Sequence, residues 1–261
     1  MNISLAGQAA LVTGAGRGIG RAAALALAAA GADVAVCART GSELSAVAAE
    51  IERLGRRALA IPCDVADEAA VKDMMARIGK HFERLDILVN NAGISGGSAP
   101  LVDTDMAVFD RVIAVNLRGT ALCSKYALPA MQARKRGAII NISSTWGRTA
   151  GRGKPAYVAS KWAIIGLTQA LALEVASDGV RVNCVVPGYT LTDMLHKSRA
   201  AAAASAGISL EEAMADVAAL SPQNRVVTAE EVADVIVWLA SDKAISIHGQ
   251  TINANAALFM N

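Results

Sequence analysis

From Gln8 onward, short continuous runs of Val, Ile and Ala alternate with longer stretches whose apolar residues recur at helical spacing. A run without polar alternation is a strand covered on both faces, and the amphipathic stretches between runs are the helices that cover it. The pattern predicts strands at 9–13, 33–38, 58–63, 87–90, 138–143, 180–186 and 250–253. Helices are predicted at 19–30, 42–54, 68–82, 105–133, 156–176 and 229–239. Strictly alternating elements of this kind build an α/β fold with a parallel sheet. The connection 188–228 carries no strand signal; at that length it forms a lid or holds helices of its own, with 210–220 as one candidate and an Ala-rich run at 200–204.

Nothing in the 261 residues reads as a Pro/Ser-rich linker, so residues 1–261 are expected to form a single domain. Hydrophobic residues make up 54% of the chain, yet the apolar runs are broken by Gly, Arg or Asp and stay short of the ~20 residues that span a membrane. No cleavable leader pattern opens the chain, and a net charge of +2 gives no reason to expect nucleic acid or an anionic membrane as partner. Cys37, Cys63, Cys123 and Cys184 lie far apart in apolar segments, as buried thiols of a reducing, cytoplasmic compartment do. His81, His196 and His248 are equally scattered, so no metal site is expected; His81 reads as a helix-end residue and the other two as loop residues.

Chemistry concentrates in Tyr157-Val-Ala-Ser-Lys161. On a helix, i and i+4 share a face, and an ammonium beside a phenol stabilises the phenolate, drawing the tyrosine pKa down toward the range of a general acid or base. Directly after the first strand comes Thr13-Gly14-Ala15-Gly16-Arg17-Gly18-Ile19-Gly20. Glycines at a strand-to-helix turn let backbone amides and a helix N-terminus approach a phosphate. The spacing is Gly-x-x-x-Gly-x-Gly, and no Gly-Lys-Ser/Thr follows, which excludes a triphosphatase loop. Asp64-Val65, Asn90-Asn91-Ala92-Gly93 and Pro187-Gly188 follow the third, fourth and sixth predicted strands, where α/β sheets bind ligands.

These motifs, with Asn116, the pair Ser143-Ser144, Thr190 and Thr192, resemble the short-chain dehydrogenase/reductase family over nearly the whole chain. The resemblance implies a Rossmann-type doubly wound domain with a seven-stranded parallel sheet and helices on both faces. It implies an oxidoreductase passing a hydride between a nicotinamide cofactor and a ketone or secondary alcohol. The catalytic set it implies is Asn116, Ser144, Tyr157 and Lys161, with Ser144 chosen over Ser143 by its distance from Tyr157 and Asn116 anchoring a water that leads protons outward. The implied cofactor contacts are Gly14, Arg17, Gly18, Ile19, Gly20, Arg39, Asp64, Val65, Asn91, Ala92, Gly93, Tyr157, Lys161, Pro187, Gly188, Thr190 and Thr192. One departure stands at the end, where the family's Asp-Gly-Gly is replaced by Asn255-Ala256-Ala257.

Cofactor choice rests on Ala38, which stands where NAD-preferring members carry a carboxylate, and on Arg39 and Arg17, which suit a 2'-phosphate. NADP(H) is therefore expected over NAD(H), with NAD(H) possible. Segment 189–228 is expected to form a substrate lid, with Trp146, Tyr189, Met194 and Leu195 lining an apolar pocket for an uncharged ketone, since no Arg/Lys cluster is apparent near it. Apolar residues on more than one face of the two long helices, Leu122 and Leu167 among them, predict a homotetramer or homodimer. Two other functions share these motifs: a non-catalytic dinucleotide sensor or scaffold, and a lyase or epimerase on the same fold.

Overall fold

Every apolar run becomes a strand in the computed structural model, which describes residues 3–260. The strands are β1 (Ala9–Thr13), β2 (Asp33–Ala38), β3 (Ala58–Pro62), β4 (Ile87–Asn90), β5 (Gly137–Ile142), β6 (Val180–Pro187) and β7 (Thr251–Ala254). They form one parallel sheet in the order β3-β2-β1-β4-β5-β6-β7. Successive side chains go to opposite faces. Ala10, Val12, Val34 and Val36 pack into one apolar cluster, while Leu11, Ala35, Cys37 and Leu88 pack into another. Burial on both sides is why these strands are continuously apolar.

The first face is covered by α1 (Gly18–Ala29), α2 (Gly41–Arg53) and α9 (Ala229–Ala240). The second is covered by α3 (Glu68–Phe82), α5 (Gly119–Ala133) and α6 (Pro155–Glu174). The predicted helix 105–133 is interrupted: α4 (Met106–Ile113), capped by Asp105, passes into a π-helical turn at Ala114–Arg118 before α5 begins. The interruption escapes a periodicity reading because a wide turn rotates the helix without ending it. The connection after β6 holds α7 (Asp193–Ala206), capped by Thr192, and α8 (Leu210–Ala219), opened by a reciprocal Ser209–Glu212 capping box. The Ala-rich run thus belongs to α7, and so does His196, which is exposed on that helix and not in a loop.

At 20 residues with a window of mean hydropathy 1.2, α6 does reach the length and apolarity of a membrane span, contrary to the reading of short runs. Its buried residues include Ser160, Lys161 and Thr168, and it packs against β6 through Ile164 and Ile165, so one face of it belongs to the core.

The sheet reverses direction of growth between β1 and β4, and the crossovers diverge there. That divergence opens a crevice at the carboxyl ends of the strands. At the far edge, β7 runs into the departure noted in the sequence. Ala256 and Ala257 take left-handed φ values of 51° and 63°, held by Ser221 Oγ donating to the Ala256 carbonyl at 2.6 Å and Asn255 Nδ2 donating to the Phe259 carbonyl at 2.8 Å. A Cβ costs ~1–2 kcal/mol in that region, and glycine recovers part of this after its own entropic penalty. The double substitution Ala256→Gly/Ala257→Gly is expected to raise stability by about 1 kcal/mol in urea unfolding; a loss of stability would show that the turn is unstrained.

Candidate active site

The turn leaving β1 lies in the crevice. Gly14 has φ 65°, and a Cβ there would lie 2.9 Å from Ala92 Cα; a Cβ on Gly20 would lie 2.2 Å from the Gly14 carbonyl oxygen. Only hydrogen fits at either position, so the turn lies flat against the helix start. Gly18 and Ile19 open α1, whose first turn has no side-chain cap and no acidic residue. Its free amides and the positive end of its dipole are left for an anion. The cradle therefore fits the diphosphate of a dinucleotide. Thr13 and Asn91 hold it in place: Thr13 Oγ1 accepts from the amides of Asn91 and Ala92, both at 3.0 Å, and Asn91 Nδ2 donates to the carbonyls of Thr13 at 2.9 Å and Gly14 at 3.2 Å.

On the β2–β3 side, Arg39 is exposed just beyond Ala38, and Arg17 lies 3.5 Å from Glu43. Asp64 accepts from the Ala66 amide at 3.1 Å and from Arg111 at 2.5 Å, and Val65 is buried beside it. Burial works against the ionised Asp64, but Arg111, the Ala66 amide and the nearby Arg39 charge hold its carboxyl below the ordinary value. On the β4–β6 side, Gly93 sits over Asn116 and Lys161, with a Cβ position 3.3 Å from Asn116 Oδ1 and 3.6 Å from Lys161 Nζ. Pro187 ends β6, and Gly188 packs on Asn255. Thr190 pairs with Val227, and the Thr192 methyl lies 3.1 Å from a Cβ position on Gly18. The root of the 189–228 segment thus rests on the glycine turn.

The first two turns of α6 carry Tyr157, Ser160 and Lys161 into the same crevice. Lys161 is buried, and its Nζ donates to the Ile142 carbonyl at 2.8 Å and lies 5.6 Å from the centre of the Tyr157 ring. Burial lowers its pKa to about 8. Tyr157 is half-buried; burial raises its pKa, and a hydrogen bond with the Ser144 hydroxyl acts in the opposite direction. The expected depression of the phenol by Lys161 is thus not present in the chain alone. The Lys161 ammonium is turned to the Ile142 carbonyl, and desolvation outweighs the effect of Ser144. Of the two serines, Ser143 donates to the Lys161 carbonyl at 2.8 Å, while Ser144 accepts from the Trp146 amide at 3.2 Å and is the one that acts on the Tyr157 pKa.

Asn116 lies in the π-helical turn, fully buried. Its Oδ1 accepts from the Ile94 amide at 2.8 Å, and its Nδ2 donates to the Ile94 carbonyl and to Ser160 Oγ, both at 3.0 Å. Both of its N–H groups are therefore engaged by protein, tying the loop after β4 to α6.

A cavity of about 180 Å³ opens beside Tyr157, lined by Gly96, Val108, Phe109, Lys154 and Ala156 among others. Of the expected lining, Trp146 stands edge-on to Tyr157 with ring centres 6.1 Å apart, whereas Leu195 is buried under α7 and Met194 is turned to solvent. The expectation that no Arg/Lys cluster lies near the pocket meets one basic residue in the lining of this cavity. Lys154 lines the cavity, and the α7 residue Arg199 comes close enough that its charge adds to burial in lowering the Lys154 pKa. The two are distant in sequence, and only the packing of α7 brings them together. Arg111, Ser160, Phe109 and Lys154 were all missed by sequence reasoning. Only Lys154, one residue ahead of the Pro155 that opens α6, carried a local signal of its position.

The sequence matches the family profile described as short chain dehydrogenase over residues 8–203. The chain belongs to the short-chain dehydrogenase family. It is 39% identical over 249 residues to a cis-4-hydroxycyclohexanecarboxylate dehydrogenase of Sinomonas cyclohexanicum, covering 95% of each chain. It is 40% identical over 254 residues to the 3-oxoacyl-(acyl-carrier-protein) reductase FabG of Staphylococcus aureus, covering 97% of this chain and 98% of that one. A crystal structure from Beutenbergia cavernae, described as an NAD(P)-dependent gluconate 5-dehydrogenase with NADP bound at low occupancy, superposes with a TM-score of 0.90 at 38% identity over 99% of each chain. This chain is accordingly an oxidoreductase of the CH-OH/C=O class, in a family that binds nicotinamide cofactors.

The Asn116 contacts generate a stability prediction. Asn116→Ala removes the three hydrogen bonds of a fully buried side chain, worth ~1 kcal/mol each, and is expected to cost about 3 kcal/mol in denaturant unfolding. A cost below about 1 kcal/mol would show that the amide does not brace the loop after β4.

Proposed function

We propose that this short-chain dehydrogenase interconverts a ketone and a secondary alcohol with NADP(H) preferred over NAD(H), using Asn116, Ser144, Tyr157 and Lys161. The observation that carries the reading is the buried Lys161 ammonium 5.6 Å from the centre of the Tyr157 ring, at the end of a crevice whose glycine turn fits a dinucleotide, with Ser144 close enough to the phenol to draw its pKa down. The names of the two relatives support it, since one is a dehydrogenase of a hydroxy compound and the other a reductase of an oxo compound.

Bound in the crevice, a nicotinamide cofactor supplies or accepts the hydride. The glycine turn and α1 hold its diphosphate, with Asp64, Val65, Ala92, Gly93, Pro187, Gly188, Thr190 and Thr192 as further contacts; Asn91 shapes the turn. Ser144 donates a hydrogen bond to the substrate oxygen where negative charge develops. Tyr157, whose raised pKa keeps it protonated at neutral pH, gives that oxygen its proton. Lys161, charged below a pH of about 8, stabilises the phenolate that remains. Asn116 fixes the loop after β4 and, through Ser160, the turn of α6 that carries Tyr157 and Lys161.

Tyr157→Phe is expected to keep the fold and to lower ketone reduction by ~100-fold or more, the usual loss when a general acid is removed. Reduction near the parent rate by that variant would overturn the assignment. In the parent, alcohol oxidation, which needs the deprotonated phenol, is expected to rise with pH while reduction falls.

For the cofactor, the absence of a carboxylate at Ala38 and the position of Arg39 support a 2'-phosphate, with Arg17 able to turn from Glu43 toward it. One charge-assisted contact of ~1.5–3 kcal/mol favours NADP(H) by roughly tenfold or more. Ala38→Asp/Arg39→Leu is expected to shift catalytic efficiency toward NAD(H); equal efficiency with NADH in the parent would refute the preference.

A cytoplasmic homotetramer or homodimer completes the proposal. An outward groove of about 350 Å³ between α5 and α6, lined by Leu128, Pro129, Leu167 and Leu171, supports a subunit contact there.

A further inference from the structure

Two arginines at the start of α1 pair with glutamates of α2, and the two pairs differ. Arg21 donates to Glu50 Oε2 at 2.5 Å, a hydrogen-bonded contact that ties one helix to the other. Arg17, the N-cap residue of α1, lies four residues earlier and at the crevice end of the same seam. It meets Glu43 only loosely, with Nη1 3.5 Å from Oε1. Glu43 is the acidic residue in the first turn of α2, the helix that follows Arg39.

Glu43 is also seated on the glycine turn itself. A Cβ on Gly16 would lie 2.5 Å from Glu43 Oε2 and 3.0 Å from Glu43 Cβ. Gly14 and Gly18 need glycine for left-handed φ values of 65° and 55°, but Gly16 takes no such angle. What the missing side chain at Gly16 provides is room for the Glu43 carboxylate. Arg17, one of the two side chains suited to a 2'-phosphate, therefore already has an anion beside it. Asp64, at the end of β3, is taken up by Arg111 at 2.5 Å and does not compete in the same way.

We propose that Glu43 is a specificity-determining residue: it competes with the 2'-phosphate of the cofactor for Arg17 and so lowers the affinity ratio of NADP(H) to NAD(H). The inference rests on the cofactor reading above and adds to it the residue that limits the preference. To engage Arg17, NADP(H) must exchange the Glu43 carboxylate for its own phosphate. NAD(H) carries a hydroxyl at that position and requires no exchange, so Glu43 acts against one cofactor alone. The exchange is accessible because the pair is loose and solvated, with side-chain exposures of 59% for Arg17 and 36% for Glu43. A phosphate then offers the guanidinium more charge and more acceptor oxygens than the carboxylate it replaces.

The test is calorimetric titration of NADP+ and NAD+, without substrate and hence without turnover, into the parent, Glu43→Gln, Glu50→Gln and Arg17→Gln, and into Glu43→Gln/Arg17→Gln. The quantity read is the Kd for NAD+ divided by that for NADP+. Glu43→Gln keeps the shape of the side chain and is expected to raise this ratio about fivefold, the upper end for release of an exposed ion pair. The rise is expected in NADP+ affinity, with NAD+ affinity within about twofold of the parent. Glu50→Gln removes the same charge from the same seam and is expected to leave the ratio within about twofold. In the Arg17→Gln background, adding Glu43→Gln is expected to change the ratio by less than about twofold, because the residue it releases is gone. A rise below about twofold in Glu43→Gln overturns the proposal. So does an equal rise in Glu50→Gln, which would reveal only the general field of a lost carboxylate, or a full rise that persists without Arg17. A parent ratio at or below one counts against the NADP(H) reading; from that value too, a rise in Glu43→Gln supports the role of Glu43 and an unchanged ratio overturns it.

Discussion

The whole arrangement depends on how β1 and β4 are tied at their carboxyl ends. A parallel sheet that reverses its growth there must open, because the chains leaving the two strands go to opposite faces. The Thr13 hydroxyl and the Asn91 amide bridge that gap, binding the end of β4 to the glycine turn through contacts near 3 Å. The diphosphate cradle and the loop that leads to Gly93 are therefore one unit. A shift of either strand would displace both ends of the cofactor crevice together.

A second set of buried polar contacts orients α6, which its own side chains would leave poorly directed. That helix is apolar around most of its circumference, so hydrophobic packing alone defines its rotation weakly. Asn90 donates to Asn141 Oδ1 at 2.8 Å and to Ser124 at 3.1 Å, and Asn141 donates to Thr168 of α6 at 2.9 Å. Asn116 adds the contact to Ser160, and Ser143 donates to the Lys161 carbonyl. Buried polar groups carry a penalty when unpaired, so this network admits one rotation of α6 and excludes its neighbours. That rotation puts Tyr157 and Lys161 in the crevice. Structural amides and reactive groups are thus parts of one construction, and the π-helical turn at 114–118 exists where Asn116 must reach both the loop and the helix.

Charge is distributed with the same economy. Asp64 is neutralised by Arg111, and Arg17 is loosely met by Glu43. Lys161 and Lys154 instead face carbonyl oxygens, and Arg199 has only a hydroxyl. At Lys161, positive charge without a protein counter-ion lies beside Tyr157, where negative charge is proposed to develop. The buried ammonium of Lys161 loses proton affinity for the same reason that the Tyr157 phenol gains it, since both charged forms are stripped of water.

The sequence by itself determined the seven strands to within a residue or so, the glycine turn after β1 and the shared face of Tyr157 and Lys161. Each of these depends on interactions within one turn or one strand, and such short-range physics leaves a periodic or motif-level trace. The split of 105–133 and the helix containing His196 left no such trace, because a π turn keeps a helical pattern and an Ala-rich helix has little apolar contrast. Only the tertiary structure decided that Asn116 braces a loop, that Arg111 meets Asp64 and that Arg199 approaches Lys154. It also reversed the expected direction of the Tyr157 pKa, since desolvation and the turning of Lys161 to the Ile142 carbonyl depend on what surrounds them. Those relations join segments distant along the chain, and their energies depend on separation and burial that no local pattern encodes.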